Sequence, residues 1–257
     1  MSWINRIEKL SGQISFLTTI PLKPGKIEEI SINSWLFPVV GLIIGCSIYI
    51  VALFFFELLP INIASLFTLI SVYLLTGLIH LDGLADFSDG IMASGDRKKK
   101  IAAMKDLNIG IAGIFSLLVI LLLNLFCIRE IGMSETRVYL MQGFFLAIVV
   151  SEISAKLGMN TCLRFGHGIG GGMGSVFIKN FSTEKYLAAV LISLLISIFL
   201  SLISLASFKF LFVFTGVFVS LFIVYIANRR FGGVNGDVVG AVNEIARAVT
   251  LVLWVVF

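Results

Sequence analysis

The chain has 257 residues, of which 58% are hydrophobic and 13% are charged, and its mean hydropathy is +1.05. Soluble domains carry roughly 25% charged residues, so this composition excludes a soluble globular protein and indicates a polytopic membrane protein. The formal net charge is +4, but the cations lie in segments next to long apolar runs, so they do not indicate nucleic-acid binding.

The first thirty residues are predicted to lie on the membrane surface. Residues 3–17 place apolar side chains at three- and four-residue steps, with charged residues between them. This pattern predicts an amphipathic helix in the membrane interface, in contact with lipid. Pro21 and Pro24 are expected to end it. Residues 1–257 are interpreted as one membrane-embedded catalytic domain, with residues 1–30 as its interfacial segment.

Seven apolar runs are long enough to cross a bilayer, which predicts an all-α membrane helix bundle. They cover residues 34–56, 61–81, 110–128, 138–158, 186–207, 208–227 and 238–257. With the N-terminus inside, fifteen lysines and arginines fall in inner segments and only Arg129, Arg137 and Lys209 fall in outer loops. This positive-inside bias predicts a cytoplasmic N-terminus and an external C-terminus in the cell membrane.

Three aspartates, Asp82, Asp86 and Asp89, follow the second run within eight residues. At 100° per residue they share one helix face, where like charges repel unless a cation lies among them. Carboxylate oxygens suit Mg²⁺, so these three aspartates are the predicted metal ligands. A solvated acidic helix end just outside the membrane is the alternative. His80 lies on the opposite face and is not expected to be a ligand.

The next polar block is Lys105–Gly113. On a continuous helix, Asp106, Gly110 and Gly113 would share one face, with the carboxylate above two gaps that admit a ligand or another backbone. Ordinary packing of small residues between membrane helices is the alternative.

Two further features lie in and after the fourth run. Glu152 and Lys156 are spaced to form an ion pair within one helix, and a self-contained pair and a functional pair both stay open. The following loop is rich in glycine, and the backbone amides around Gly170 and Gly171 are candidates to bind an anion. A flexible loop without a ligand is the alternative.

The last block opens the seventh run. Asp237 and Glu244 are seven residues apart and share a helix face, with Gly240 and Ala241 between them. The small pair is expected to leave room for a substrate, and Gly236 precedes the first acid.

All four polar blocks are predicted to lie on the cytoplasmic side, at the ends of the apolar runs. Carboxylates, a divalent metal, glycine amides and cations together are typical of phosphoryl transfer. The predicted catalytic residues and the predicted substrate-binding residues form two sets. The catalytic residues are Asp82, Asp86, Asp106 and Asp237, and the substrate-binding residues are Lys105, Gly110, Gly170, Gly171, Gly236 and Glu244. Asp106, Asp237 and Glu244 are all candidates for the general base.

The runs HLDGLADFSDG, MKDLNIGIAG and GGVNGDVVGAVNE resemble the three signature blocks of the adenosylcobinamide-GDP ribazoletransferases, or cobalamin synthases. Residues 16–21, FLTTIP, resemble the opening of the same family. The resemblance implies a Mg²⁺-dependent membrane enzyme of cobalamin biosynthesis. Its substrates would be adenosylcobinamide-GDP and α-ribazole, accepting through its 5′-hydroxyl, or α-ribazole 5′-phosphate, and it would release GMP. Asn235 stands where the family has threonine, and asparagine keeps a short polar helix cap.

Two other functions fit part of the pattern. A CDP-alcohol phosphotransferase needs Ala-Arg after its Asp-Gly pair, whereas this chain has Ala85-Asp86. A cation transporter needs acids distributed at mid-depth in the spans rather than gathered on one side. The number of metal ions, the general base, the preferred ribazole form and the oligomeric state stay open.

Overall fold

The computed structural model describes residues 3–133, 137–204 and 208–257. The protein is 83% helical, and the described ranges contain no β-strand, which confirms the all-α prediction. Twelve α-helices are described. In chain order they are α1 (Trp3–Leu17), α2 (Ile27–Ile32), α3 (Phe37–Leu58), α4 (Ile61–Thr76), α5 (Ile79–Met92), α6 (Arg97–Ala103), α7 (Ile111–Met133), α8 (Arg137–Phe165), α9 (Met173–Asn180), α10 (Thr183–Ser204), α11 (Thr215–Arg230) and α12 (Gly236–Val256).

Six helical segments within the described ranges are long and apolar enough to cross a membrane. They correspond to six of the seven predicted runs, and their ends differ from the predicted bounds by up to seven residues. The remaining run, residues 61–81, is not one straight helix. It consists of α4 and the start of α5, which meet at an angle of 93° and complete seven spans only if the pair is counted as one.

The bend between α4 and α5 lies at Gly77. Its φ of 71° is in the left-handed region that glycine adopts without strain. The turn leaves carbonyls at the end of α4 without helical partners. Thr19 supplies partners, since its backbone N–H donates to Leu75 O at 2.7 Å and its hydroxyl donates to Leu74 O at 2.7 Å. The chain after α1 therefore caps α4 at the point where α5 turns away.

Helix α8 lies at the centre of the bundle. Residues 146–163 of this helix are all buried by its neighbours. Small residues allow the backbones to approach closely, as is common between membrane helices. A Cβ atom on Gly45 of α3 would lie 2.7 Å from the Val149 Cα of α8, and one on Gly216 of α11 would overlap the Ser154 carbonyl oxygen.

The predicted amphipathic helix is present as α1, and it ends at Leu17 before Pro21. Leu17 and Gln13 are buried against the bundle, whereas Ile7 is 66% exposed. Gln13 donates a hydrogen bond of 3.0 Å to Ile30 O, which joins α1 to α2. The helix therefore docks on one end of the bundle. All three cysteines are free.

Candidate active site

The site forms where α5 crosses α12. A Cβ atom on Gly83 would lie 2.9 Å from Asp237 O, and one on Gly240 would lie 3.3 Å from the Cα atom of His80. Because these two glycines have no side chain, the backbones of α5 and α12 can approach each other closely. The prediction that Gly240 and Ala241 leave a notch for substrate is therefore wrong in part, because Gly240 also accommodates the α5 backbone and Ala241 is fully buried.

The crossing gathers four carboxylates from two blocks of sequence. Asp86 interacts electrostatically with Asp237, Asp82 and Asp89. Asp237 accepts a hydrogen bond of 2.6 Å from Asn235 Nδ2 and interacts with the positive charge of Lys105. The structure thus brings Asp82, Asp86, Asp237 and Lys105 together as predicted. These four residues are called the aspartate site below.

Asp89 differs from the other aspartates of α5. Its carboxylate accepts hydrogen bonds from Gly110 N at 2.7 Å and from Gly113 N at 2.8 Å, at the start of α7. A Cβ atom at either glycine would collide with this carboxylate. Asp89 therefore fixes the N-terminus of α7 against α5, where the helix dipole favours a negative charge.

The predicted shared face of Asp106, Gly110 and Gly113 is wrong. Residues 104–110 are not helical, since α7 begins at Ile111. The carboxylate next to the two glycines belongs to Asp89. Asp106 is exposed, and the backbone and side-chain N–H groups of Asn108 donate to it, which lowers the pKa of the Asp106 carboxyl.

Glu244 lies outside the aspartate site, so its predicted place beside Asp237 is wrong. Its side chain is only 1% exposed and contacts groups from three other positions. Arg247 Nη1 donates to Glu244 Oε2 at 2.6 Å, Tyr73 Oη donates to the same oxygen at 3.1 Å, and Asn243 Nδ2 donates to Oε1 at 2.9 Å.

The contacts of Glu244 belong to a buried ionic network between α8 and α12. Arg247 also donates from Nε to Glu152 at 2.6 Å, and Lys156 Nζ lies 3.8 Å from Glu152. Lys156 donates a further bond of 2.6 Å to Asn243 Oδ1. The network contains Glu152, Lys156, Glu244 and Arg247, so its formal charge is zero. The predicted pair of Glu152 and Lys156 is thus present within a larger, internally neutral group.

The glycine-rich loop lies against the start of α12. Val234 N donates to His167 O at 2.7 Å, and Ile169 N donates to Val234 O at 3.0 Å. Gly170 has a φ of 74°, and no atom lies within 4 Å of a Cβ built on Gly170 or Gly171. Gly236 is equally open. The loop is therefore placed near Asp237, and anion binding by its amides stays a prediction.

A cavity of about 160 Å³ adjoins the aspartate site. Its walls are mainly apolar, and Asp82, Asp237 and His80 are the residues of its lining with ionisable side chains. The lining residues are Phe16, Leu17, Phe37, Ile79, His80, Asp82, Met159, Leu163, Met173, Gly174, Phe177, Gly236, Asp237, Val239 and Gly240.

Sequence reasoning missed Phe16 and Thr19 as parts of this region, and it dismissed His80. The sequence did contain one indication of this role, because residues 16–21 resemble the first residues of the cobalamin synthase family. The structure explains that segment, because Phe16 lines the cavity and Thr19 caps α4. His80 does lie away from the carboxylate face of α5, but that opposite face borders the cavity.

The carboxylates fit a magnesium ion that is shared with a phosphorylated ligand. Within the described ranges, no three acidic, histidine or cysteine side chains are grouped closely enough to form a complete metal cage. Mg²⁺ is commonly held by one or two carboxylates together with water and substrate phosphates. Asp82, Asp86 and Asp237 supply hard oxygen donors of that kind, whereas both Asp89 oxygens already accept backbone hydrogen bonds.

Comparison with known proteins points to one family. A family model described as cobalamin-5-phosphate synthase matches residues 9–255. A protein of Pyrococcus abyssi named adenosylcobinamide-GDP ribazoletransferase is 35% identical over 93% of this chain and 94% of its own length. Proteins with the same name from Methanocella arvoryzae and Pyrococcus furiosus are 36% and 34% identical, over 98% and 95% of this chain and 99% and 98% of their own lengths. No solved structure matches the chain.

Proposed function

Because the chain belongs to the cobalamin-5-phosphate synthase family, we propose that it is an adenosylcobinamide-GDP ribazoletransferase. The proposed reaction joins the adenosylcobinamide phosphate of adenosylcobinamide-GDP to α-ribazole or its 5′-phosphate, and it releases GMP. The observation that carries this proposal is the crossing of α5 and α12, which places Asp82, Asp86 and Asp237 beside a cavity. Phosphoryl transfer depends mainly on positioning and on electrostatic stabilisation, which such a site can supply.

The attacking group is proposed to be a ring hydroxyl of the ribose. The sequence resemblance led us to expect the 5′-hydroxyl. The family description, however, names a cobalamin 5-phosphate as the product. A 5′-oxygen that still carries its phosphate in the product cannot have attacked another phosphorus. One of the two ring hydroxyls is therefore the better candidate for both forms of the acceptor.

The bond changes in the proposed step balance. The ribose oxygen forms a bond to the phosphorus next to cobinamide, and the bond from that phosphorus to the bridging oxygen breaks. GMP leaves with the bridging oxygen. The hydroxyl proton passes to a carboxylate of the enzyme.

Asp237 is the proposed general base. It lines the cavity with Asp82, and its hydrogen bond from Asn235 orients the carboxylate. Asp106 is exposed and bonded to Asn108, and Glu244 is enclosed in the ionic network, so neither is placed as well. Lys105 supplies a nearby positive charge for the phosphates.

Asp82 and Asp86 are proposed to hold Mg²⁺, with water and substrate phosphates completing its coordination. When bound, the metal would draw negative charge away from the departing phosphate. The carboxylates of α5 orient that ion, and Asp89 holds α7 in place beside them. The metal requirement can be tested by titrating Mg²⁺ into enzyme that was stripped with EDTA, where we expect turnover to depend on the added ion.

GMP release provides the main test. Purified protein in nanodiscs is mixed with adenosylcobinamide-GDP and α-ribazole, and we expect GMP only when both are present. A CDP-activated alcohol donor serves as the control and should give no product. GMP release without an acceptor, or none with either form of ribazole, would contradict the proposal.

The attacking hydroxyl can be identified with deoxy analogues of α-ribazole. We expect the 5′-deoxy analogue to be accepted and one of the 2′- and 3′-deoxy analogues to be inert. Acceptance of both ring-deoxy analogues together with rejection of the 5′-deoxy analogue would restore the 5′-hydroxyl as nucleophile.

The aspartate site is proposed to face the cytoplasm, with the lysine and arginine residues of the inner loops. Single cysteines at Ser94 and Glu57, both exposed, can be introduced after replacement of the three native cysteines. A membrane-impermeant reagent applied to intact cells should label the cysteine at position 57 and miss the one at position 94. Labelling at position 94 alone would reverse the orientation.

A further inference from the structure

The cavity beside the aspartate site is the size of a small aromatic ring system. Its volume is about 160 Å³, and an apolar protein cavity of roughly 150 Å³ is known to accept benzene. A corrin macrocycle is several times larger than this volume. The cavity therefore suits a flat aromatic group attached to a larger ligand that extends outside.

Aromatic side chains form one wall of this cavity. Phe16 stacks on Phe177 with ring centroids 5.1 Å apart and an angle of 23°, and Phe37 lies 6.1 Å from Phe177. The three rings come from α1, α3 and α9. Met159 and Leu163 of α8 add an apolar surface. Such walls favour an aromatic ligand with few polar atoms.

His80 provides an unpaired polar group in the lining. The residue is 6% exposed, and its Nδ1 atom has no hydrogen-bond partner among the described residues. A buried polar atom without a partner is unfavourable, and native structures contain few of them. Nδ1 is enclosed by protein, so a rotation of the imidazole would present it to a ring nitrogen of a ligand in the cavity.

The position of the cavity relates the aromatic group to the reaction. Asp82 and Asp237 belong to both the aspartate site and the cavity lining. A ring held in the cavity would therefore place its attached sugar next to the carboxylate proposed as the base. That arrangement fits a nucleoside whose sugar hydroxyl is the nucleophile.

We infer that this cavity binds the aromatic azole base of ribazole, with His80 contacting the free ring nitrogen. The inference rests on the proposed function and adds the location of the acceptor. A ribazole base has one ring nitrogen bound to ribose and one free to accept a hydrogen bond. Guanine carries several donors and acceptors, so an apolar wall suits it less well.

Inhibition by the free base tests this site without any mutation. 5,6-Dimethylbenzimidazole should inhibit competitively against α-ribazole and should leave the KM for adenosylcobinamide-GDP unchanged. Competition against adenosylcobinamide-GDP would assign the cavity to guanine and overturn the inference. Absence of inhibition at the solubility limit of the base would also overturn it.

Matched aromatic substitutions test the wall. Phe177→Leu should raise the KM for α-ribazole about tenfold, because stacking on an aromatic side chain stabilises a bound base. The KM for adenosylcobinamide-GDP should stay within about twofold. Phe212→Leu is the control, since Phe212 packs on Trp254 near the other end of α12, 6.0 Å between ring centroids, and it should change neither constant. Equal effects of Phe177→Leu on both substrates would contradict the assignment.

The role of His80 can be tested with an acceptor whose free ring nitrogen is replaced by C–H. The wild-type enzyme should use this analogue about 3–10-fold less efficiently, as expected for loss of one hydrogen bond. His80→Phe should remove most of that discrimination. The wild-type ratio alone is decisive if His80→Phe does not fold, because a ratio near one would contradict the contact. GMP release from the natural pair reports separately on the proposed function.

Discussion

Two acidic residues on the same helix, Asp237 and Glu244, lie in opposite electrostatic environments. Glu244 belongs to the buried ionic network, where two carboxylates face the cations of Lys156 and Arg247. Asp237 belongs to the aspartate site, where the negative charges of Asp82 and Asp86 act on it and Lys105 supplies a nearby positive charge. Seven residues of helix separate a balanced group of charges from an unbalanced one.

The ionic network and the aspartate site differ in whether neighbouring cations balance their carboxylates. Charges inside a membrane helix bundle are unfavourable unless they pair with one another or face a polar cavity. The ionic network follows the first course, because its carboxylates and its cations are paired with one another. The aspartate site follows the second, and its surplus negative charge is the charge that the proposed Mg²⁺ would offset. The buried charges of the ionic network are thus mutually satisfied, and they give no support to an ion pathway.

The largest expected effect comes from removing a charge of the aspartate site. Asp82→Asn, Asp86→Asn and Asp237→Asn should each reduce kcat by about 10²–10⁴-fold, the range associated with loss of a general base. Thermal stability in detergent should not fall, because each change relieves repulsion between carboxylates. Measured kcat and melting temperature check this prediction. Activity within threefold of wild type for all three variants would show that the unbalanced charge is not catalytic.

Breaking the ionic network should have the reverse signature. Glu244→Gln or Glu152→Gln leaves an uncompensated buried cation, which typically destabilises a protein by roughly 3–5 kcal/mol. We expect a lower melting temperature and a lower yield, with near-normal kcat for the folded fraction. The double variant Glu152→Gln with Lys156→Met keeps the network neutral and should recover part of the stability. A specific loss of kcat without loss of stability would place Glu244 back in the site.

Asp89 lies beside the aspartate site and contacts the start of α7. Asp89→Asn replaces one acceptor by a donor that faces the backbone N–H groups of Gly110 and Gly113. We expect activity to fall about 10–100-fold, as is typical when a supporting contact is removed. Gly113→Ala should produce the same defect, because its Cβ would lie 2.6 Å from Asp89 Oδ2. A strong effect of Asp89→Asn with none from Gly113→Ala would instead indicate direct metal binding.

The smallest effect is expected at Asp106. Asp106→Asn keeps a side chain that can accept from Asn108, and the residue is exposed outside both regions. Turnover should stay within about threefold of wild type, since surface substitutions away from special features have small effects. A loss above a hundredfold would return Asp106 to the list of possible bases. Steady-state kcat at saturating substrates is sufficient for this comparison.

The amino-acid sequence by itself determined the helix bundle. Apolar runs of the length of a bilayer predict spans, because a membrane segment must satisfy its backbone hydrogen bonds internally. The same reasoning found α1, since its period is that of an amphipathic helix. It also found Asp82, Asp86 and Asp237, because carboxylates next to apolar runs stand out against the composition.

Tertiary structure decided which of these residues meet. Helical periodicity places Asp237 and Glu244 on one face, yet it contains no information on the partners of that face at each depth. The partners of Glu244 are Tyr73 and Arg247 together with Asn243, and the cation of Arg247 also reaches Glu152 on another helix. The glycines beside Asp89 were assigned to Asp106 because the pattern assumed a helix through residues 104–110. At Gly77 the chain turns, so that α5 lies at 93° to α4. That bend brings His80 to the cavity and Asp82 close to Asp237. Local helix propensity does not predict this approach, because the two aspartates are far apart in the chain and meet only through the backbone geometry of the bend.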